Sequence, residues 1–121
     1  MTLCWTTITV RNLEASLAFY RDVCELPLQE RHSPVPGVEI AFLGDGDAKI
    51  ELIERQDQDA VGFGSDISVG FEVESLDAAL ETLGTAGFPL HSGPFQPGPG
   101  IRFAFVLDPD GLKVQLVERK V

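Results

Sequence analysis

The stretch Asp108-Pro109-Asp110-Gly111-Leu112-Lys113-Val114-Gln115-Leu116-Val117-Glu118 decides the fold, because the chain carries a second version of it at Asp45-Gly46-Asp47-Ala48-Lys49-Ile50-Glu51-Leu52-Ile53-Glu54. Each version reads as a turn followed by a strand. Two aspartates bracket Gly or Pro, residues that supply a positive or a fixed φ. Then come Lys, an aliphatic, an acid or amide, two aliphatics and Glu, a run rich in β-formers. Asp108 lies 63 residues after Asp45 and Lys113 lies 64 after Lys49, so the second copy has gained one residue, Gly111, within its turn.

The displacement extends outward from that stretch in both directions. Val10-Arg11-Asn12-Leu13-Glu14-Ala15 matches Val73-Glu74-Ser75-Leu76-Asp77-Ala78 at 63, Leu26-Pro27-Leu28 matches Phe88-Pro89-Leu90 at 62, and Val38-Glu39-Ile40-Ala41-Phe42 matches Ile101-Arg102-Phe103-Ala104-Phe105 at 63. A chance likeness between two short strands would not propagate in this way, so the chain is two copies of one module. The copies span 1–54 and 66–121. The polar, glycine-containing segment 55–65 is the linker of a single domain.

Within each copy the pattern predicts the order βαβββ. Leu3 to Val10 alternates, with Cys4, Thr6, Ile8 and Val10 on one side and Leu3, Trp5, Thr7 and Thr9 on the other. Asn12 caps a helix that runs to about Cys24 on the spacing of Leu13, Leu17, Tyr20 and Cys24. Extended segments follow at Leu28 to His32, Val38 to Leu43 and Lys49 to Ile53. In the second copy a strand from Ile67 to Val73 leads to a helix capped by Ser75 and closed by Gly87. A short strand around Pro89 to Ser92, a Gly- and Pro-rich loop from Ser92 to Gly100, and strands at Ile101 to Leu107 and Leu112 to Glu118 complete it. The fold class is α+β: two tandem modules whose curved mixed sheets form a cup.

Each helix has one apolar face, which must be buried against one side of its sheet. Ile8, Val10, Val69, Phe71 and Val73 supply that side. Trp5, Thr7, Thr9, Ser68, Gly70 and Glu72 face the other way, joined by Lys49, Glu51, Lys113 and Gln115. This mixed polar and aromatic lining has the character of a small-molecule site.

Composition narrows the function classes. With 121 residues, 44% of them hydrophobic, the chain can bury a core without disulfide or metal support. A formal charge of −10, from 19 acids against 9 bases, argues against nucleic-acid binding, which needs clustered Lys and Arg. No apolar run is long enough for a membrane span, and no leader-like segment opens the chain, so a cytoplasmic protein is expected. Cys4 and Cys24 suit that compartment as small buried hydrophobes, a strand-to-helix disulfide being the alternative. No phosphate-binding Gly-rich loop, His-Glu-x-x-His motif or Ser/His/Asp set is present.

Two segments resemble a known family. Val10-Arg11-Asn12-Leu13-Glu14-Ala15-Ser16-Leu17-Ala18-Phe19-Tyr20 is similar to the first-helix signature, and Asp108 to Glu118 to the last-strand signature, of the vicinal oxygen chelate superfamily, also called the glyoxalase, bleomycin-resistance and dioxygenase family. The resemblance covers nearly the whole chain. It implies the fold and leaves the reaction open among lyases, epimerases, dioxygenases, antibiotic-modifying transferases and drug-sequestering proteins. It also implies that metal-dependent members hold a divalent ion through one ligand from the first and one from the fourth strand of each module. Those places are Trp5, Glu51, Ser68 and Gln115 here, and only Glu51 is a good ligand.

No metal and no other cofactor are therefore expected. The expected function is metal-independent binding of a planar or cationic small molecule in the cup, with Trp5 as a stacking floor and Glu51 and Gln115 as hydrogen-bonding groups in matching places of the two copies. Thr7 and Ser68 add hydroxyls, Phe95 a closing aromatic, and Arg102 a cation for a carboxylate, the competing reading of Arg102 being a surface strand residue in an ion pair. The competing reading of Trp5 is a space-filler, and of Glu51 and Gln115 an internally satisfied pair. His32 and His91, at the ends of the second strands, read as surface groups, or as a base or ligand if either points into the cup. The alternative function is a metal-dependent or metal-free lyase, isomerase or dioxygenase of the same superfamily, with Glu51 as base or a divalent metal at a displaced site that recruits His32 or His91, and a third is an interaction module without a ligand. A homodimer is expected, with no nucleic-acid or membrane partner.

Overall fold

The computed structural model describes residues 1–58 and 60–120. Backbone contacts divide the chain into two compact units, Met1–Gly62 and Phe63–Val121. In the first, β1 (Trp5–Thr9) is followed by α1 (Leu13–Leu17), whose helical path continues through Ala18–Val23 as a wider π turn, and then by β2 (Leu28–His32), β3 (Val38–Leu43) and β4 (Lys49–Arg55). In the second, β5 (Ser68–Glu72), α2 (Leu76–Thr85), β6 (Ser92–Gly98), β7 (Ile101–Leu107) and β8 (Lys113–Arg119) repeat the order. The sheets are arranged β1-β4-β3-β2 and β5-β8-β7-β6, with the first strand of each parallel to the last and the other pairs antiparallel. The α+β class and the doubled βαβββ order are thus observed.

Residues opposite one another on neighbouring strands share a face of the sheet, so the register assigns both faces of each unit. On the helix side of the first sheet, Ile8, Leu52 and Ala41 line up across three strands and all are buried, joined by Leu13, Leu17, Phe19 and Tyr20. On the helix side of the second, Val114 and Val106 stand opposite one another, as do Leu116 and Ala104, and all four are buried. Leu76 and Leu83 are the buried positions of α2.

Both helices start the same way. The Asn12 carboxamide oxygen accepts from the Ala15 N–H at 2.9 Å and the Ser75 hydroxyl from the Ala78 N–H at 3.2 Å, each satisfying a donor that an unextended helix leaves orphaned. A second acceptor comes from the last strand of the unit. Glu54 Oε1 accepts from the Leu13 N–H at 2.6 Å, and Glu118 Oε1 from the Leu76 N–H at 3.0 Å. The terminal Glu of the repeated strand therefore ties each helix to its own sheet.

Four sequence expectations need correction. The first helix does not run as one α-helix to Cys24: from Ala18 it widens, with the Cys24 N–H bonding the Phe19 carbonyl at 2.9 Å, five residues back. The widened turn lets adjacent Phe19 and Tyr20 both be buried, their rings edge-on at 4.8 Å. The segment 92–100 is not a loop but mostly strand β6, and the strand expected around Pro89 to Ser92 lies there instead. β6 is an edge strand paired, among the described residues, with β7 alone and with two breaks in register, so the N–H groups missing at Pro94 and Pro97 leave no gap in the sheet's interior. The first strand is shorter than Leu3 to Val10, and Cys4, just ahead of it, is exposed rather than buried; Cys4 and Cys24 are not joined in a disulfide.

Candidate functional site

The face of each sheet away from its helix is the candidate site. In the first unit it carries three rows across the strands. Trp5 stands opposite Lys49. Thr7, Glu51, Phe42 and Glu30 form the next row, and Thr9, Ile53, Ile40 and His32 the third. Trp5 packs its ring edge-on against Phe42, with centroids 5.2 Å apart and planes at 73°. It remains 47% exposed. An indole half in solvent and held by a neighbouring ring is available as a platform, whereas a filler would be covered.

The Thr7 hydroxyl donates to Glu51 Oε1 at 2.6 Å. That bond engages one carboxylate oxygen and narrows the rotation of the group, which lowers the entropic cost when a ligand pairs with the other oxygen. Lys49 turns its ammonium back to the Gly46 carbonyl at 3.4 Å. At the edge of the sheet His32 Nδ1 lies 3.3 Å from Glu30 Oε1, both exposed.

In the second unit the corresponding rows are Ser68, Lys113 and Leu107, then Gly70, Gln115, Phe105 and Ser92, then Glu72, Val117, Phe103 and Phe95. The three phenylalanines form a chain, Phe95 to Phe103 at 5.4 Å and Phe103 to Phe105 at 5.9 Å, and the Lys113 ammonium sits over the Phe105 ring at 5.6 Å. An attraction between ammonium and ring face accounts for that placement.

The residues predicted from sequence therefore separate into three groups. Trp5, Thr7 and Glu51 come together on the first sheet. Ser68, Gln115 and Phe95 share the open face of the second. Arg102 does not belong with them: it stands opposite Glu118 on the helix side, 3.2 Å from Asp77 of α2 and 3.9 Å from Glu118 Oε2, and binds the sheet to its helix rather than a carboxylate ligand. Its first-unit counterpart Glu39 lies on the equivalent side, with Arg31 held between it and Glu14. Hydrogen bonds to Glu39 and then Glu14 raise the Arg31 pKa above its ordinary value.

His91 lies just before β6, its N–H bonded to the Phe105 carbonyl at 2.7 Å, and lines a shallow recess of about 340 Å³ with Phe88, Leu90 and Asp108. Sequence reading placed Lys113 on this face but missed Phe42, Phe103 and Phe105 as neighbours of the site. The alternation of β3 and β7 contained the signal, but its phase depends on the pairing register.

The four places at which metal-dependent members of the family hold their ion offer a poor donor set. Indole has no lone pair for a metal, a neutral hydroxyl and an amide oxygen are weak donors, and Glu51 already accepts from Thr7. Among the described residues, no three His, Cys, Asp or Glu side chains come together in a way that could hold an ion. These residues do not fit such a group.

Residues 2–116 match the Glyoxalase/Bleomycin resistance protein/Dioxygenase superfamily. The lactoylglutathione lyase of Neisseria meningitidis serogroup A is 32% identical over 128 residues, covering 99% of this chain and 92% of the lyase. Among solved structures, a glyoxalase I mutant from Zea mays superposes with a TM-score of 0.86 at 22% identity, the chain covering 99% of itself and 45% of the maize protein. TnmS3, an antibiotic binding protein from Streptomyces sp. CB03234, superposes with a TM-score of 0.78 at 19% identity over 99% of this chain and 97% of TnmS3. The lyases overturn one expectation: they are metal-dependent enzymes, so cofactor-free behaviour does not stand as the expectation for a chain this similar to them, even though its own four residues depart from the donor set. The duplicated βαβββ units, the match over residues 2–116 and the identity to the lyases together make the chain a member of the Glyoxalase/Bleomycin resistance protein/Dioxygenase superfamily.

Proposed function

We propose that the protein binds a planar small molecule carrying a basic group on the open face of its N-terminal sheet. The ring lies against Trp5 beside Phe42, and the basic group pairs with Glu51. The observation that carries this reading is the Thr7 to Glu51 hydrogen bond at 2.6 Å next to a half-exposed indole. Together they form an oriented anion beside an aromatic platform, a combination that selects planar cations. Net charge −10 raises the local concentration of such ligands. TnmS3 shows that this fold can serve an antibiotic binding protein.

Trp5 is the single tryptophan, so its fluorescence reports the site directly. Planar cations are expected to quench it saturably while neutral and anionic analogues of the same shape do so only weakly. Glu51→Gln is expected to remove the preference. Equal response to all three charge types would refute the assignment of Glu51.

A second reading, a glyoxalase-type lyase, is favoured by the 32% identity to the meningococcal lactoylglutathione lyase. Formation or breakdown of lactoylglutathione, followed with and without added divalent metal on protein of measured metal content, decides it. We also propose a homodimer and a cytoplasmic location, the latter because cysteines not joined in a disulfide suit a reducing compartment. Sedimentation tests the dimer and cell fractionation the compartment. No helix among the described residues is long and apolar enough to cross a membrane.

A further inference from the structure

The two copies share one scaffold, so each difference between their open faces is a difference in what those faces can hold. Phe42 and Phe105 occupy the same place in the repeat. In the first copy Phe42 is packed edge-on by Trp5 and flanked in its row by two carboxylates, Glu51 and Glu30. In the second copy all three neighbours are replaced. Ser68 stands where Trp5 does, Gln115 where Glu51 does, and Ser92 takes the flanking place of Glu30. The bulky indole and both negative charges are gone.

What takes their place is a cation and more aromatic surface. Lys113 corresponds to Lys49, but whereas Lys49 is turned to the Gly46 carbonyl, Lys113 lies over the Phe105 ring, and no carboxylate among the described residues pairs with it. In the next row Ile40 and His32 give way to Phe103 and Phe95, the latter 44% exposed. Gly70, opposite Gln115, carries no side chain, so the Gln115 amide is approachable from that side; a Cβ there would meet its Oε1 at 3.4 Å. Glu72 is the acid of this face, and Arg119 at 3.1 Å neutralises it.

We infer that the open face of the C-terminal sheet is a site for an aromatic carboxylate, its ring against Phe103 and Phe95 and its carboxylate between the Lys113 ammonium and the Gln115 amide. This rests on the reading of the open faces as the ligand-holding surfaces and adds a division between them, with the first face selecting a cation and the second an anion. Charge complementarity decides the class. A ligand cation would meet Lys113 with no acid free to offset it, and an aliphatic acid would gain the ammonium but forfeit the rings. The spacing of the phenylalanines suits one or two fused rings.

The test is calorimetric titration of the full chain with 2-naphthoate, 2-naphthylmethylamine and cyclohexanecarboxylate as probes. Naphthoate is expected to bind more tightly than cyclohexanecarboxylate and, in Glu51→Gln, where the cation preference of the first face is gone, more tightly than the amine; Lys113→Gln is expected to weaken naphthoate about tenfold, the scale of one lost charge-assisted contact. Phe103→Leu, which keeps an apolar side chain, is expected to weaken naphthoate several-fold while leaving cyclohexanecarboxylate unaffected. Lys120→Gln, the same change at an exposed lysine outside the site rows, is expected to leave naphthoate affinity unaltered.

Naphthyl amine binding that equals naphthoate binding in Glu51→Gln, an unaltered naphthoate affinity in Lys113→Gln, or no naphthoate binding at millimolar concentration overturns the inference. So does a dimer that Phe95→Asp dissociates, since this face would then be covered by a second copy. Quenching of Trp5 by planar cations is a separate readout. If it persists while naphthoate fails, the first-face reading stands and this one falls; if naphthoate binds and the cations fail, the reverse holds.

Discussion

Glu118→Ala tests how each helix is fastened to its sheet. Glu118 is 6% exposed, its Oε1 accepts from the Leu76 N–H at 3.0 Å, and its Oε2 lies 3.9 Å from Arg102. Alanine removes the acceptor and leaves a buried N–H at the start of α2, where no preceding helical turn can satisfy it. Losing a hydrogen bond to a charged group costs ~1.5–3 kcal/mol, and most of that is the penalty on the stranded donor. Arg102 keeps Asp77 as a partner, so its own contribution to the loss is small. The expected destabilisation is therefore ~2–3 kcal/mol.

Glu118→Gln separates the acceptor from the charge. Its amide oxygen still accepts from Leu76, and what disappears is the carboxylate's interaction with the helix dipole, ~0.3–1 kcal/mol. Urea denaturation at neutral pH, with the slope checked for constancy, measures both values, and hydrogen exchange at the Leu76 amide reports the bond itself. Glu54→Ala, which strands Leu13 in the first unit, repeats the test in a less buried setting and is expected to cost less. Should Glu118→Ala cost under ~0.5 kcal/mol, or Gln and Ala cost the same, a buried orphan donor is not what the glutamate prevents.

Glu25 adopts φ 61°, where the second copy has Gly87 at φ 97°, both closing a helix. Relieving the left-handed strain in Glu25→Gly is expected to raise stability by up to ~1 kcal/mol in the same urea assay, the gain being trimmed by glycine's larger unfolded-state entropy. Ser16 is fully buried and its hydroxyl has no hydrogen-bond partner among the described residues, while its counterpart in the second copy is Ala79. Ser16→Ala is accordingly expected to be neutral or stabilising by up to ~1 kcal/mol by thermal melt, where an ordinary loss of a bonded serine would destabilise. Thr7→Val keeps the shape of the side chain but frees Glu51 to rotate. Planar cations are expected to lose affinity several-fold in the Trp5 titration with no change in the fold's circular dichroism.

The duplication, the order of the elements, the helix starts at Asn12 and Ser75 and the two faces of the first and last strands were legible in the residues alone. Each is encoded locally, by a period of two, a capping oxygen or a repeated turn, and needs no knowledge of what lies opposite. Trp5, Thr7 and Glu51 were placed on one face for that reason. Arg102 was misplaced because Ile101 to Leu107 has apolar residues on both parities, so only the pairing with Glu118 says which side faces the helix, and a slip of one residue would reverse it. Likewise nothing local marks Gly93-Pro94-Phe95 as a strand. Its hydrogen bonds come from β7, whose edge tolerates the prolines. The Trp5 contact with Phe42 and the Lys113 ammonium over Phe105 are contacts between residues 37 and 8 positions apart in the chain, made by side chains whose rotamers are chosen only once the strands have paired. The residues alone say which groups each unit has to offer, and strand pairing says which of them meet, because register and rotamer are properties of the assembled sheet and not of any one strand.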